Sequence, residues 1–151
     1  MTIKKLSIWV TILGIIGVGL WQLKPKSVSK MVEIQIHSQT IKAEVARSMS
    51  ERALGLGNRE SLESNRGMLF LFPDLGYPSI WMKNMNFPID IVWLKDSQVV
   101  DIAKEVPIPD PKELQMQTYS PKELANQVLE IKSGQTDILN LKIGDKITIL
   151  D

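Results

Sequence analysis

The chain reads as one mainly β domain of the α+β class, a small barrel-like or curled antiparallel sheet with one or two short helices, preceded by an N-terminal transmembrane helix. Three observations predict this. Residues 6–23, LSIWVTILGIIGVGLWQL, are uncharged and bracketed by Lys5 and Lys24. From Met31 onward, apolar residues recur with period two in short runs, the pattern of half-buried strands. Turn residues separate those runs, and only two short stretches carry helix signals.

Residues 1–5 form a short positive N-terminus, expected to stay in the cytoplasm. The 18 residues that follow, 6–23, would reach about 27 Å as a helix, close to the hydrocarbon thickness of a bilayer. Trp9 and Trp21 suit the two interfaces. A cleavable signal has a shorter apolar region with its small-x-small site beyond it, whereas Gly17-Val18-Gly19 falls inside the run, so an uncleaved anchor is the first expectation and a cleaved signal the alternative. Without cysteine there is no lipoprotein anchor. Residues 24–31, with Lys24, Lys26 and Lys30, read as a linker, and residues 32–151 as a globular domain outside the cytoplasmic membrane, periplasmic or extracellular.

Within the domain, Val32, Ile34 and Ile36 alternate with polar residues, as do Ile41, Ala43 and Val45, which predicts a hairpin turning through SQT. Ser48 to Glu51 matches a capping box, placing a short helix that Gly55 and Gly57 would end. Strands are expected at GMLFLF, PSIWMKN, PIDIVWLK and QVVDIAKEV, with turns at PDLG, MNF and DS. The segment from Pro107 to Leu124 contains four prolines and is long enough to be a lid. QVLEIKSG then predicts a strand, TDILNL a helical turn, and IGDKITIL a final strand.

Composition narrows the functional classes. Formal net charge is +1, but residues 1–30 hold five lysines and no acid, so the rest of the chain carries 1 − 5 = −4. Nucleic-acid binding needs clustered Lys and Arg, so no nucleic-acid partner is expected. The absence of cysteine removes disulfides, thiolate nucleophiles and Cys-type metal sites. His37 falls on an exposed alternating position, no phosphate loop or G-x-S-x-G is present, and the S-x-x-K match at Ser27 to Lys30 lies in the linker.

The motifs ERALGLGNR, RGMLFLF, WMKNMNFPIDIVWL and VLEIKSG, in that order and spacing, resemble the family known as domain of unknown function 192 from about Ile41 to Leu150. This sequence departs from the family's usual pattern at Gly57, at Met85 and at Asp96-Ser97. The resemblance implies a compact, mostly β fold, often behind a signal or anchor, and no agreed activity.

The stretch WMKNMNFPID places Lys83, Asn84 and Asp90 inside the most apolar part of the chain. Asp90, Val92 and Leu94 would share one strand face and Ile89, Ile91 and Trp93 the other, so Asp90 is expected to be buried. A buried carboxylate must be hydrogen-bonded or paired. It could accept backbone N–H bonds or pair with an arginine, or it could form the floor of a pocket. Glu130 likewise interrupts an apolar strand. Met82 and Met85, three positions apart on one strand, would face opposite ways, which argues against a copper(I) site. The ligand-binding candidates are therefore Arg52, Trp81, Lys83, Asn84, Asp90 and Glu130, with no metal and no cofactor. The expected function is a membrane-anchored binding module for a small polar ligand or cell-envelope component, under the proline loop. The alternatives are a hydrolase pairing Asp90 with Glu130 and an accessory protein of a membrane complex.

Overall fold

The computed structural model describes residues 30–112 and 117–150. The expected transmembrane segment 6–23, with residues 1–5 and nearly all of the linker, lies outside the described residues. No helix among those described is long and apolar enough to cross a membrane.

The described elements are β1 (Met31–Ile36), β2 (Gln39–Ala46), α1 (Met49–Leu54), β3 (Arg66–Gly76), β4 (Ile80–Trp81), β5 (Ile89–Lys95), β6 (Gln98–Val106), β7 (Thr118–Tyr119), β8 (Ala125–Lys132), α2 (Gln135–Ile138) and β9 (Thr148–Leu150). Seven strands form one sheet in the order β6-β5-β8-β3-β2-β1-β9, while β4 and β7 pair separately.

Two features correct the expected architecture. The large sheet is not closed into a barrel, and β6 and β9 are its edges. Backbone bonds from Val99 N–H to the Asp145 carbonyl (2.8 Å) and from Ile147 N–H to the Ser97 carbonyl (3.0 Å) bring the segment before β9 to the start of β6 without continuing the ladder. The sheet is also mixed, because β2 and β3 run parallel. The crossover through α1 and residues 55–65 supplies the long connection that parallel neighbours require.

Local signals explain the rest. The β1–β2 turn falls at His37-Ser38, earlier than SQT suggested, with His37 at φ 52°. Asp96 and Ser97 both have positive φ, 49° and 68°, the left-handed pair that a two-residue hairpin favours. Ser48 and Glu51 make the capping box, and Gly55 at φ 51° ends α1. The expected PDLG turn is absorbed into β3, whose pairing with β8 is irregular between Leu71 and Gly76. The expected PSIWMKN strand is cut to Ile80–Trp81, because Met82 to Met85 form a turn with Asn84 at φ 57°.

The sheet is apolar on both faces. One cluster holds Val32, Ile34, Ile41, Leu69, Val92, Leu94, Leu129 and Ile131; the other holds Met68, Phe70, Met82, Met85, Ile91, Trp93 and Val128. In β5 all six residues from Ile89 to Leu94 are buried. Any polar side chain on a central strand must therefore find partners inside the protein.

Candidate functional site

Asp90 is fully buried at the start of β5 and faces the first cluster. One carboxylate oxygen, Oδ1, accepts the backbone N–H groups of Glu105 (2.8 Å) and Gly134 (3.1 Å). The other, Oδ2, accepts the Thr136 backbone N–H (2.9 Å) and its hydroxyl (2.7 Å). Four donors from β6, the β8–α2 turn and α2 thus converge on one carboxylate. Three of the four are backbone N–H groups, and no arginine, Lys83 or Asn84 is among them. Asp90 ties three chain segments together and lies outside the cavity described below.

Glu130 lies on β8, and its register neighbours are Ile91 on β5 and Met68 on β3. Asp90 is opposite Ile131, so the two carboxyls project from opposite faces of the sheet. Glu130 is 4% exposed, and no described residue donates a hydrogen bond to it. Burial raises its pKa to about 8, opposed by the positive charge of Arg59. Arg59 is itself engaged by a two-pronged bond to Glu44, at 2.5 and 2.9 Å. At neutral pH the Glu130 carboxyl is mostly protonated, a hydrogen-bond donor that opens onto a cavity and meets no acceptor among the described residues.

This carboxyl lines a cavity of about 290 Å³. Its walls come from α1 and the following turn (Arg52, Leu56, Gly57), from β3 (Phe70, Phe72) and from β4 with its turn (Trp81, Lys83, Met85). Alternation along GMLFLF puts Phe70 and Phe72 on one face. The turn at Met82–Met85 carries both methionines into the same apolar cluster, contrary to the opposite faces expected of a strand. Gly57 lets the α1 turn approach β4, because a Cβ there would lie 2.9 Å from the Leu54 carbonyl oxygen and 3.0 Å from that of Lys83. Gly67 does the same beside Glu130, where a Cβ would lie 2.7 Å from the Glu130 carbonyl oxygen.

Two cations stand at the wall. The Arg52 guanidinium donates to the Leu71 carbonyl (3.0 Å) and to the Arg47 carbonyl, and lies 5.0 Å from the Phe72 ring centroid. Lys83 Nζ lies 5.3 Å from the Trp81 ring centroid, and that ring is 43% exposed. Four of the six sequence candidates, Arg52, Trp81, Lys83 and Glu130, therefore meet at one cavity. Asp90 and Asn84 do not line it; Asn84 instead shapes the turn and accepts the Asn58 N–H (2.8 Å) at its backbone carbonyl. The described part of the proline loop lines a separate hollow beside Met82, and its return limb is fixed as β7 against β4.

The pattern of the DUF192 family, described as "Uncharacterized ACR", matches residues 32–149. The chain belongs to this family. Among curated proteins none matches. Two solved structures share the DUF192 chain's fold. A proposed transcription regulator from Sinorhizobium meliloti 1021 is 23% identical at a TM-score of 0.73, covering 80% of this chain and 95% of that one. A protein of unknown function from Novosphingobium aromaticivorans DSM 12444 is 29% identical at a TM-score of 0.70, covering 82% and 89%.

Proposed function

We propose that this DUF192 protein is a non-enzymatic binding module, held at the membrane by residues 6–23 with its domain on the extracytoplasmic side. A small ligand or cell-envelope component seats in the cavity bounded by Arg52, Trp81, Lys83 and Glu130. One observation carries this reading: the carboxyl of Glu130, with no hydrogen-bond partner among the described residues, opens onto a largely apolar cavity. A lone polar group in an apolar wall is the kind of point that fixes a bound ligand's orientation.

The hydrolase alternative loses its geometric basis, since Asp90 and Glu130 lie on opposite faces and Asp90 is saturated with donors. Direct nucleic-acid binding, which rests on clustered Lys and Arg, finds no support in the net charge of residues 31–151, 1 − 5 = −4. The accessory-protein reading draws on a different feature. Met49 (80% exposed), Leu54 (61%) and Trp81 border the cavity mouth and would suit a protein contact.

The test is the thermal midpoint of the full-length chain against a panel of amino acids, saccharides and small aromatic acids and amines. At least one member should raise the midpoint by several degrees, and Trp81→Ala should abolish that rise. A flat panel would overturn the reading.

A further inference from the structure

The charges around the cavity go further than its shape. Its lining contains two cations, Arg52 and Lys83, and one acid, Glu130. No carboxylate among the described residues forms an ion pair with either cation. Both are positioned: the guanidinium by two backbone carbonyls and the Phe72 face, the ammonium by the Trp81 face. A guanidinium has five N–H donors in a fixed fork, and Arg52 directs only one nitrogen at those carbonyls. The remaining donors match a carboxylate. Apart from Ser79, whose hydroxyl is bonded to that of Ser120, the other walls are mostly aromatic or aliphatic, with Phe70, Phe72, Trp81, Leu56 and Met85.

We infer that this cavity takes small apolar monocarboxylates, their anionic head against Arg52 and Lys83 and their hydrocarbon or aromatic body between Trp81 and the Phe70–Phe72 wall, above Glu130. The inference rests on the binding-module reading and names its ligand class. At about 290 Å³ the cavity is at the small end of the range for ligand sites, suited to a single ring with a short chain. A neutral Glu130 tolerates an anion nearby and can donate to an acceptor atom. Once ionised it would repel the anion and attract a cation.

The charged groups around Glu130 are few. β3 and β5 present Met68 and Ile91 to it, Arg59 acts on it from beyond α1 while bound to Glu44, and Arg52 and Lys83 line the same cavity. Because the Glu130 pKa is about 8, rising pH should weaken carboxylate binding and strengthen amine binding across that value.

The experiment uses three probes with one skeleton, 3-phenylpropionate, 3-phenylpropylamine and 3-phenylpropanol, titrated calorimetrically into the full-length chain in non-ionic detergent. At about pH 6.5 the carboxylate should bind about fivefold or more tighter than the amine, and tighter than the alcohol. Arg52→Gln should weaken the carboxylate several-fold and leave the alcohol unchanged. At about pH 9, above the Glu130 pKa of about 8, the carboxylate preference should shrink. Glu130→Gln should keep the preference and remove its pH dependence. Saturable binding with the amine tightest, or with carboxylate and alcohol equal, overturns the inference and leaves the binding module standing. Absence of saturable binding by all three also overturns it, and together with a flat thermal panel removes the binding module as well.

Discussion

Asp90 and Glu130 occupy neighbouring strands, adjacent in register and both inside the sheet, yet their surroundings are opposite. Asp90 receives four hydrogen bonds from three segments of the chain. Glu130 receives none from the described residues and borders a cavity instead. Burial alone therefore does not mark a functional acid; the number of donors aimed at it does. A carboxylate saturated by backbone N–H groups serves the fold, while one placed in an apolar wall without donors weakens the fold and is available to something else.

The largest effect that could break this contrast is at Asp90. Asparagine there would turn one acceptor oxygen into a donor facing two existing donors, so Asp90→Asn should lower unfolding free energy by about 3 kcal/mol or more in urea titrations. Glu130→Gln should do the reverse, raising stability by about 2 kcal/mol near pH 7.5. The sign follows from linkage. The Glu130 pKa is about 8 in the folded state against an ordinary 4.5, so between those values the native state holds a proton that the unfolded state lacks. Stability therefore falls as pH rises through this window, by up to about 1.4 kcal/mol per unit, and levels off above the folded value. The wild type should show that slope relative to Glu130→Gln, and parallel pH profiles would remove the claim of a neutral buried acid.

Smaller changes sharpen the comparison. Thr136→Val keeps the shape but deletes the hydroxyl donor 2.7 Å from Asp90, with an expected loss of about 1 to 2 kcal/mol in the same titration. Trp81→Ala should change stability least, by under about 1 kcal/mol, because the ring is 43% exposed, yet it should eliminate any ligand-induced thermal shift. A Trp81 variant that unfolds readily would make the ring a core residue.

Much of this fold was legible in the sequence. The alternation of Val32, Ile34 and Ile36, the Ser48–Glu51 capping box and the two-sided burial of Ile89 to Leu94 are local patterns, and each appears where it was expected. The parallel pairing of β2 with β3 and the open sheet edge were not, because strand order depends on contacts far apart in the chain. The same limit governs the site. Arg52, Trp81, Lys83 and Glu130 stood out as polar or aromatic residues near apolar runs, and the fold unites them. Asp90 stood out for the same reason, but its donors at Glu105, Gly134 and Thr136 lie 15 to 46 residues away. Backbone donors leave no mark in residue identity, so the structural acid and the exposed-to-cavity acid looked alike.

Asp90 and Glu130 thus act on the fold with opposite sign. The most direct measurement is urea unfolding of the full-length chain near pH 7.5 for wild type, Asp90→Asn and Glu130→Gln under identical conditions. The midpoint should shift down for Asp90→Asn and up for Glu130→Gln, with unchanged slopes. A Glu130→Gln midpoint lowered as far as that of Asp90→Asn, or an Asp90→Asn midpoint equal to wild type, would contradict it.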